Sequence, residues 1–204
     1  MSVRINGTDN ESTLGQVNSN KIGAFHMADQ PNIFEPQRNN TFEFIVTGLD
    51  GIRKAGTTDS DNETISNAQE AIRLSVSSTF VPSFDMDVIS IKRGNSTVKY
   101  AGTPTYSSGS IQLHDYIGLE SQEALYAWQA LAYNVQTEKV GLASDYKKTA
   151  YILEYTPDYQ LVRSWKLIGC WCSAVSEDNF SSDNNGNHMI NATIQYDKAI
   201  IDRD

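Results

Sequence analysis

TFEFIVTGL, residues 41–49, sets Phe42, Phe44 and Val46 against Glu43, Ile45 and Thr47 with a period of two. Side chains along a strand point alternately to opposite faces, so this period predicts a strand with one buried face. The same reading extends to residues 86–92, 97–100, 110–115, 149–155, 161–171 and 189–196, with Gly94-Asn95 and Asn185-Gly186 as turn signals between them. In residues 72–80, Ile72, Leu74, Val76 and Phe80 alternate with Arg73, Ser75, Ser77 and Thr79, which predicts a half-exposed antiparallel strand with a hydroxyl-rich outer face. One segment breaks the rule. In SQEALYAWQALAYNV, residues 121–135, the residues Leu125, Trp128, Leu131, Ala132 and Val135 recur at helical spacing, with Ser121 as predicted N-cap and Glu123 in the first turn. The expected fold is mostly β: an antiparallel β-sandwich or open barrel with one covering α-helix.

Upstream, residues 1–40 are rich in Asn, Gly, Thr, Ser and Gln without a sustained period, and read as an N-terminal arm. Residues 41–204 then form a single domain, interrupted at about 51–69 by a long polar loop carrying Asp59, Asp61 and Glu63. The first ten residues lack the apolar stretch of a secretory signal, and no run reaches the roughly 18 apolar residues of a membrane span. Neither export nor insertion is expected.

The net charge of −9 has the wrong sign for gripping a phosphate backbone by counterion release, so DNA binding is disfavoured, though passage of DNA is not. Asp59, Asp61, Glu63 and Glu70 match part of an EF-hand spacing, but Thr64 occupies the glycine position and no helix pair flanks it. Gly51 and Gly56 have phosphate-loop spacing with Thr57 where the lysine belongs. Cys170 and Cys172 sit two apart in a strand, with no ligand-like spacing to His26, His114 or His188, and read as small core or interface residues of a reduced protein rather than metal ligands. No nucleophile elbow or zinc-protease helix is present, and no set of nucleophile, base and oxyanion donor assembles, so neither a catalytic residue nor a cofactor is expected. Trp128, Trp165 and Trp171 each fall on an apolar face and read as core or subunit interface.

Five segments taken in order, DQPNIFEPQRNNTFEF (29–44), SIKRGNSTVKYAG (90–102), EALYAWQALAYN (123–134), SDYKKTAYILEY (144–155) and SWKLIGCWCSAV (164–175), resemble the tail tube protein of contractile-tailed bacteriophages. The likeness runs from about Asp29 to Ile200. It departs at Trp171-Cys172, where the family usually carries Trp-Pro, and in the arm and the 51–69 segment. The resemblance implies a structural virion protein, assembled in the host cytoplasm as hexameric rings that stack into a tube, with hairpins of six subunits closing one ring-wide β-barrel. DNA would cross the lumen unbound. The implied partners are further copies of the chain, the tail sheath, the baseplate hub or initiator, the tape measure protein and the tail terminator.

Alternation then nominates residues for these roles. Ser75, Ser77, Thr79 and Asp87 are candidates for the lumen, where acidic and hydroxyl groups would let DNA slide. Asp59, Asp61 and Glu63 are candidates for contacts between rings or with the sheath, and Lys147, Lys148 and Trp128 for contacts between subunits. Two alternatives stand beside this reading: a single-ring baseplate or terminator paralogue, and a β-sandwich carbohydrate- or receptor-binding module using Tyr106 or Tyr116.

Overall fold

A computed structural model describes residues 37–56, 63–183 and 185–202. The expected N-terminal arm lies almost wholly outside the described residues, as do Asp59 and Asp61. The elements run β1 Phe42–Thr47, β2 Ile52–Arg53, β3 Thr64–Ile65, α1 Ala68–Ser75, β4 Val76–Ser78, β5 Phe84–Arg93, β6 Ser96–Tyr106, β7 Gly109–His114, α2 Ser121–Ala132, β8 Tyr133–Asn134, β9 Lys139–Val140, α3 Ala143–Tyr146, β10 Lys148–Tyr155, β11 Leu161–Glu177, β12 Met189–Gln195 and β13 Lys198–Asp202. The fold is mostly β, a curled antiparallel sheet forming a half-barrel.

Seven strands make that sheet, in the order β1-β10-β11-β12-β7-β4, with β13 also paired to β11. The 17-residue β11 carries the curl: its first half pairs with β10 and β13, its second with β12. The junction is Gly169, at φ 67. A Cβ there would lie 2.2 Å from Asp197 Oδ2, so only glycine lets Asp197 sit against the bend. Asp197 is held from both sides, its N–H donating to the Ile168 carbonyl at 3.0 Å and its carboxylate receiving Lys147 Nζ at 2.7 Å.

The core lies on one face of the sheet. Phe44 and Val46 of β1, Ala150 and Ile152 of β10, Leu167, Cys170 and Cys172 of β11, Ile190 and Ile194 of β12, and Ile111 and Leu113 of β7 meet Leu125 and Trp128 of α2 there. Trp128 is fully buried, and its Nε1–H donates to the Tyr146 carbonyl at 2.9 Å, so the indole brings no unpaired donor inside. Both thiols are pushed up to about 12 by burial, as expected of packing residues.

Two expectations are corrected here. Residues 72–75, expected to open the 72–80 strand, are instead the second half of a helix over 68–75: Ala68, Ala71, Ile72 and Ser75 are buried at i, i+3, i+4 and i+7, and Ala, Gln, Glu, Arg and Leu favour helix. The sheet therefore has a second substantial covering helix beside α2, tied to β1 by Arg73, which pairs with Glu43 across to the strand and with Glu70 at 2.9 Å within α1. Ser121 is the first helical residue of α2 rather than its cap; Glu120 occupies the cap position, and the Ser121 hydroxyl is buried without a hydrogen-bond partner.

Candidate assembly surface

Among the described residues, β5 and β6 pair only with each other, as a two-stranded ribbon outside the seven-stranded sheet. Its turn is Gly94-Asn95 between the paired residues Arg93 and Ser96, with Gly94 at φ 62, the left-handed geometry that two-residue hairpins need. The root is clamped to the core by rings. Phe80 stacks on Tyr196 at 5.7 Å, Tyr106 meets Tyr196 edge-on at 5.9 Å, and Phe84 packs on Tyr106 at 5.6 Å. The Tyr196 hydroxyl donates to the Ser83 carbonyl and accepts from its N–H, pinning the chain as it enters β5. Gly109 belongs to the same clamp, because a Cβ there would lie 2.1 Å from the Phe80 ring.

Beyond that clamp the ribbon is exposed. Every residue of β5 is exposed, among them Phe84, Met86, Val88, Ile89 and Ile91, and on β6 Val98 and Tyr100 are exposed as well. A two-stranded ribbon is marginal in water, and one with apolar side chains on view and no described strand on either edge needs a covering surface.

A second surface is the sheet face opposite the core. Over β7, β12 and the end of β11 the cross-strand rows Ser176-Asn191-Gln112-Ser78 and Ala174-Thr193-Ser110 carry hydroxyls and amides but no charge. The edge of this region is closed by His188, whose Nδ1 lies 3.2 Å from Asp115 and whose ring stacks on Phe180. At the same edge, with Oε2 4.0 Å from His188 Nε2, Glu177 accepts from the Tyr126 hydroxyl and from Gln122 Nε2, both at 2.6 Å, which ties α2 to β11. These two donors, Tyr126 foremost, hold the Glu177 carboxyl below the usual range, and the same bond pushes the Tyr126 phenol up to about 12.

The residues nominated from sequence are dispersed. Asp87 is exposed on β5, whereas Ser77 and Thr79 are half-buried around the end of β4. Ser75 faces no bore: it is fully buried in the last turn of α1, and the alternation that placed it outside does not hold within a helix. Glu63 is exposed, its carbonyl receiving the Lys54 N–H at 3.1 Å beside the short β2–β3 ladder. Lys147 is engaged by Asp197 of its own chain, and Lys148 is half-buried at the start of β10. Trp128 cannot contact another subunit, being wholly inside the core. Tyr106, offered as a ligand platform in the alternative reading, is part of the ribbon clamp; Tyr116 is exposed. Sequence reasoning found both ribbon strands but not their exposure, and it passed over Ser110, Gln112, Asn191 and Thr193, whose signal was an uncharged outer face in two strands already recognised.

No group of three or more acidic, His or Cys side chains able to hold a metal ion occurs among the described residues, and no described helix is long and apolar enough to cross a membrane. A half-barrel with a self-paired, exposed ribbon, together with the family match that follows, defines the class of a structural subunit of tube type. Residues 40–199 match the family of the T4-like virus tail tube protein gp19, and the chain belongs to that family. No curated protein matches it by sequence. Among solved structures it is similar to a chain from the sheath/tube terminator of the extracellular contractile injection system PVC in its extended state, with 16% identity, TM-score 0.58 and coverage of 84% of this chain and 99% of the other. It is also similar to a chain of the PVC sheath-tube complex, at 15% identity, TM-score 0.56 and coverage of 86% and 97%. A third likeness is to a chain of the tube-terminating cap of the anti-feeding prophage, at 16% identity, TM-score 0.52 and coverage of 86% and 99%. At these identities the likenesses establish the fold.

Proposed function

We propose that the chain is the repeating subunit of the inner tube of a contractile tail, that it assembles as hexameric rings stacked into a hollow tube, and that DNA is ejected through the bore. The observation that carries this reading is the ribbon: a tail tube family fold whose long β5–β6 hairpin has no described strand on either edge and shows exposed apolar side chains completes itself on other chains. Ring closure converts those edges from an aggregation hazard into defined pairing. The sheath, a baseplate hub or initiator, the tape measure protein and a terminator are the partners this role calls for. The particle is then the virion tail, put together in the host cytoplasm.

We place the bore on the uncharged sheet face of Ser110, Gln112, Asn191 and Thr193, continued by Ser77, Thr79 and the acidic Asp87. Neutral hydroxyls and amides offer DNA no cationic anchor, and carboxylates repel it, so the polymer slides. Residues 41–204 serve as the tube domain, and the arm of residues 1–40 together with the 51–69 segment, including Asp59, Asp61 and Glu63, serve contacts between rings or with the sheath.

Negative-stain electron microscopy of the purified chain over a concentration series tests the role. Hollow tubes are the expected result, and a chain that stays monomeric throughout, even with a tail initiator added, would overturn it. The single-ring reading has its own support, since two of the similar solved chains come from a terminator and a cap. Isolated six-fold rings that never stack would favour it.

A further inference from the structure

The ribbon's register shows where its apolar side chains point. Residues directly opposite across an antiparallel pair share a face. Phe84 is opposite Tyr106, Met86 opposite Pro104 and Val88 opposite Ala101 on one face, which continues to Ser90 with Lys99 and Lys92 with Thr97. The other face starts with Asp85 and Thr105, then carries Ile89 with Tyr100 and Ile91 with Val98, and ends at Arg93 with Ser96. The register shifts between Met86 and Val88, where Asp87 stands against Gly102 and Thr103; a Cβ on Gly102 would lie 2.8 Å from the Asp87 carbonyl oxygen, so the strands close up there and the ribbon bends.

The apolar stripe therefore changes sides partway along. Near the root it lies on the face of Met86 and Val88, 49% and 61% exposed, while the opposite face is acidic. Beyond the bulge it lies on the face of Ile89 and Ile91, 53% and 46% exposed, while the first face turns basic with Lys92 and Lys99. One flat surface covers one side of a ribbon. Burying both halves takes two surfaces, one on each side.

We infer that each ribbon is held between two other copies of this chain, one covering Met86 and Val88 from one side and the second covering Ile89, Ile91, Val98 and Tyr100 from the other. This rests on the tube-subunit reading and deepens it. Charge supports a second copy as the occupant: residues 84–106 carry Asp85 and Asp87 against Lys92, Arg93 and Lys99, a net of +1, so the rest of a chain whose total is −9 carries −10. A basic tip on a strongly acidic molecule finds its complement on its own kind.

The test places a photocrosslinker at each half. Met86→Cys and Ile91→Cys are labelled separately with a benzophenone maleimide; Cys170 and Cys172 are fully buried and leave the engineered thiol as the reactive one. Labelled and isotope-marked unlabelled subunits are co-assembled, irradiated and mapped by mass spectrometry. Both positions are expected to link to other copies, at two separate patches. Links from both to one patch, or from either position only within its own chain, overturn the inference while leaving the tube reading standing; a chain that never assembles overturns both. Where a label itself blocks assembly, Met86→Glu and Ile91→Glu replace it: each alone is expected to raise the concentration needed for assembly by about tenfold or more, and a silent member of the pair refutes the two-sided contact.

Discussion

The seven-stranded sheet and the β5–β6 ribbon are built from the same alternating β-branched and aromatic residues, yet they meet opposite fates within one chain. In the sheet, Phe44, Ile111, Leu167 and Ile194 are fully buried beneath two helices. In the ribbon, Val88, Ile89 and Ile91 stay about half exposed, and among the described residues no strand but the partner strand touches either edge. The difference lies in what covers a face, not in its composition. A subunit organised this way separates two free energies: the sheet supplies folding of the single chain, the ribbon supplies association, and a substitution should register in one measurement and spare the other.

The largest effect on the folding side is expected at Trp128. Trp128→Ala removes the biggest fully buried side chain and leaves the Tyr146 carbonyl without its donor, a loss of about 3–5 kcal/mol. Thermal unfolding of the unassembled subunit should fall steeply or be lost. A small change would mean that α2 is not the lid of this core. Next comes the bend in β11. Gly169→Ala puts a Cβ against Asp197 at a positive φ, and about 1–3 kcal/mol should disappear from the unfolding free energy read by chemical denaturation. Gly169→Ala combined with Asp197→Ala should recover the steric part and retain the backbone part.

How much of this division was legible beforehand depends on what periodicity reports. A period of two marks two chemically different faces, and it placed the strands around Phe44, Ile152, Leu167 and Ile194 because each has one buried face within the subunit. It missed α1 because the alternation of Ile72, Leu74 and Val76 satisfies a strand if reading starts at Ile72, whereas starting at Ala68 exposes the helical set Ala68, Ala71, Ile72 and Ser75. Leu74 is 56% exposed as a result, and Ser75, expected outside, is inside. The ribbon strands were readable, but their lack of cover was not, since alternation carries no information about whether a face finds its lid in the same chain. Trp128 shows the converse: an apolar aromatic on a helix suits a core as well as a subunit contact, and only the packing decides.

A smaller and pH-dependent effect tests the tie between α2 and the sheet. Glu177 receives Tyr126 and Gln122, and its carboxyl is held below its ordinary value in the folded chain. A depressed folded-state value means that this contribution is fully present above the ordinary carboxylate pKa and is lost as pH falls through the folded-state value. Glu177→Gln should therefore be less stable than the parent by about 1–2 kcal/mol at neutral pH, with the gap closing in acid. Melting curves of both proteins from neutral pH downward check this, and a gap that stays constant would assign the loss to packing instead of charge.

The smallest effect is expected at the ribbon tip, and it concerns association alone. Lys92, Arg93 and Lys99 are exposed, so in the single chain their replacement by serine should leave the melting temperature unchanged within error. Between copies they face molecules that are acidic overall, and such attraction is screened over about 10 Å at 0.1 M salt and about 3 Å at 1 M. The parent protein should therefore assemble a few-fold more slowly as salt rises through that range, read by light scattering. The triple serine variant should start slow and respond little to salt. Apolar contact by the ribbon strengthens or holds in the same salt, so the two contributions separate by sign. Equal salt responses in parent and variant would place the charge attraction somewhere other than the tip and leave the ribbon to act through its apolar faces.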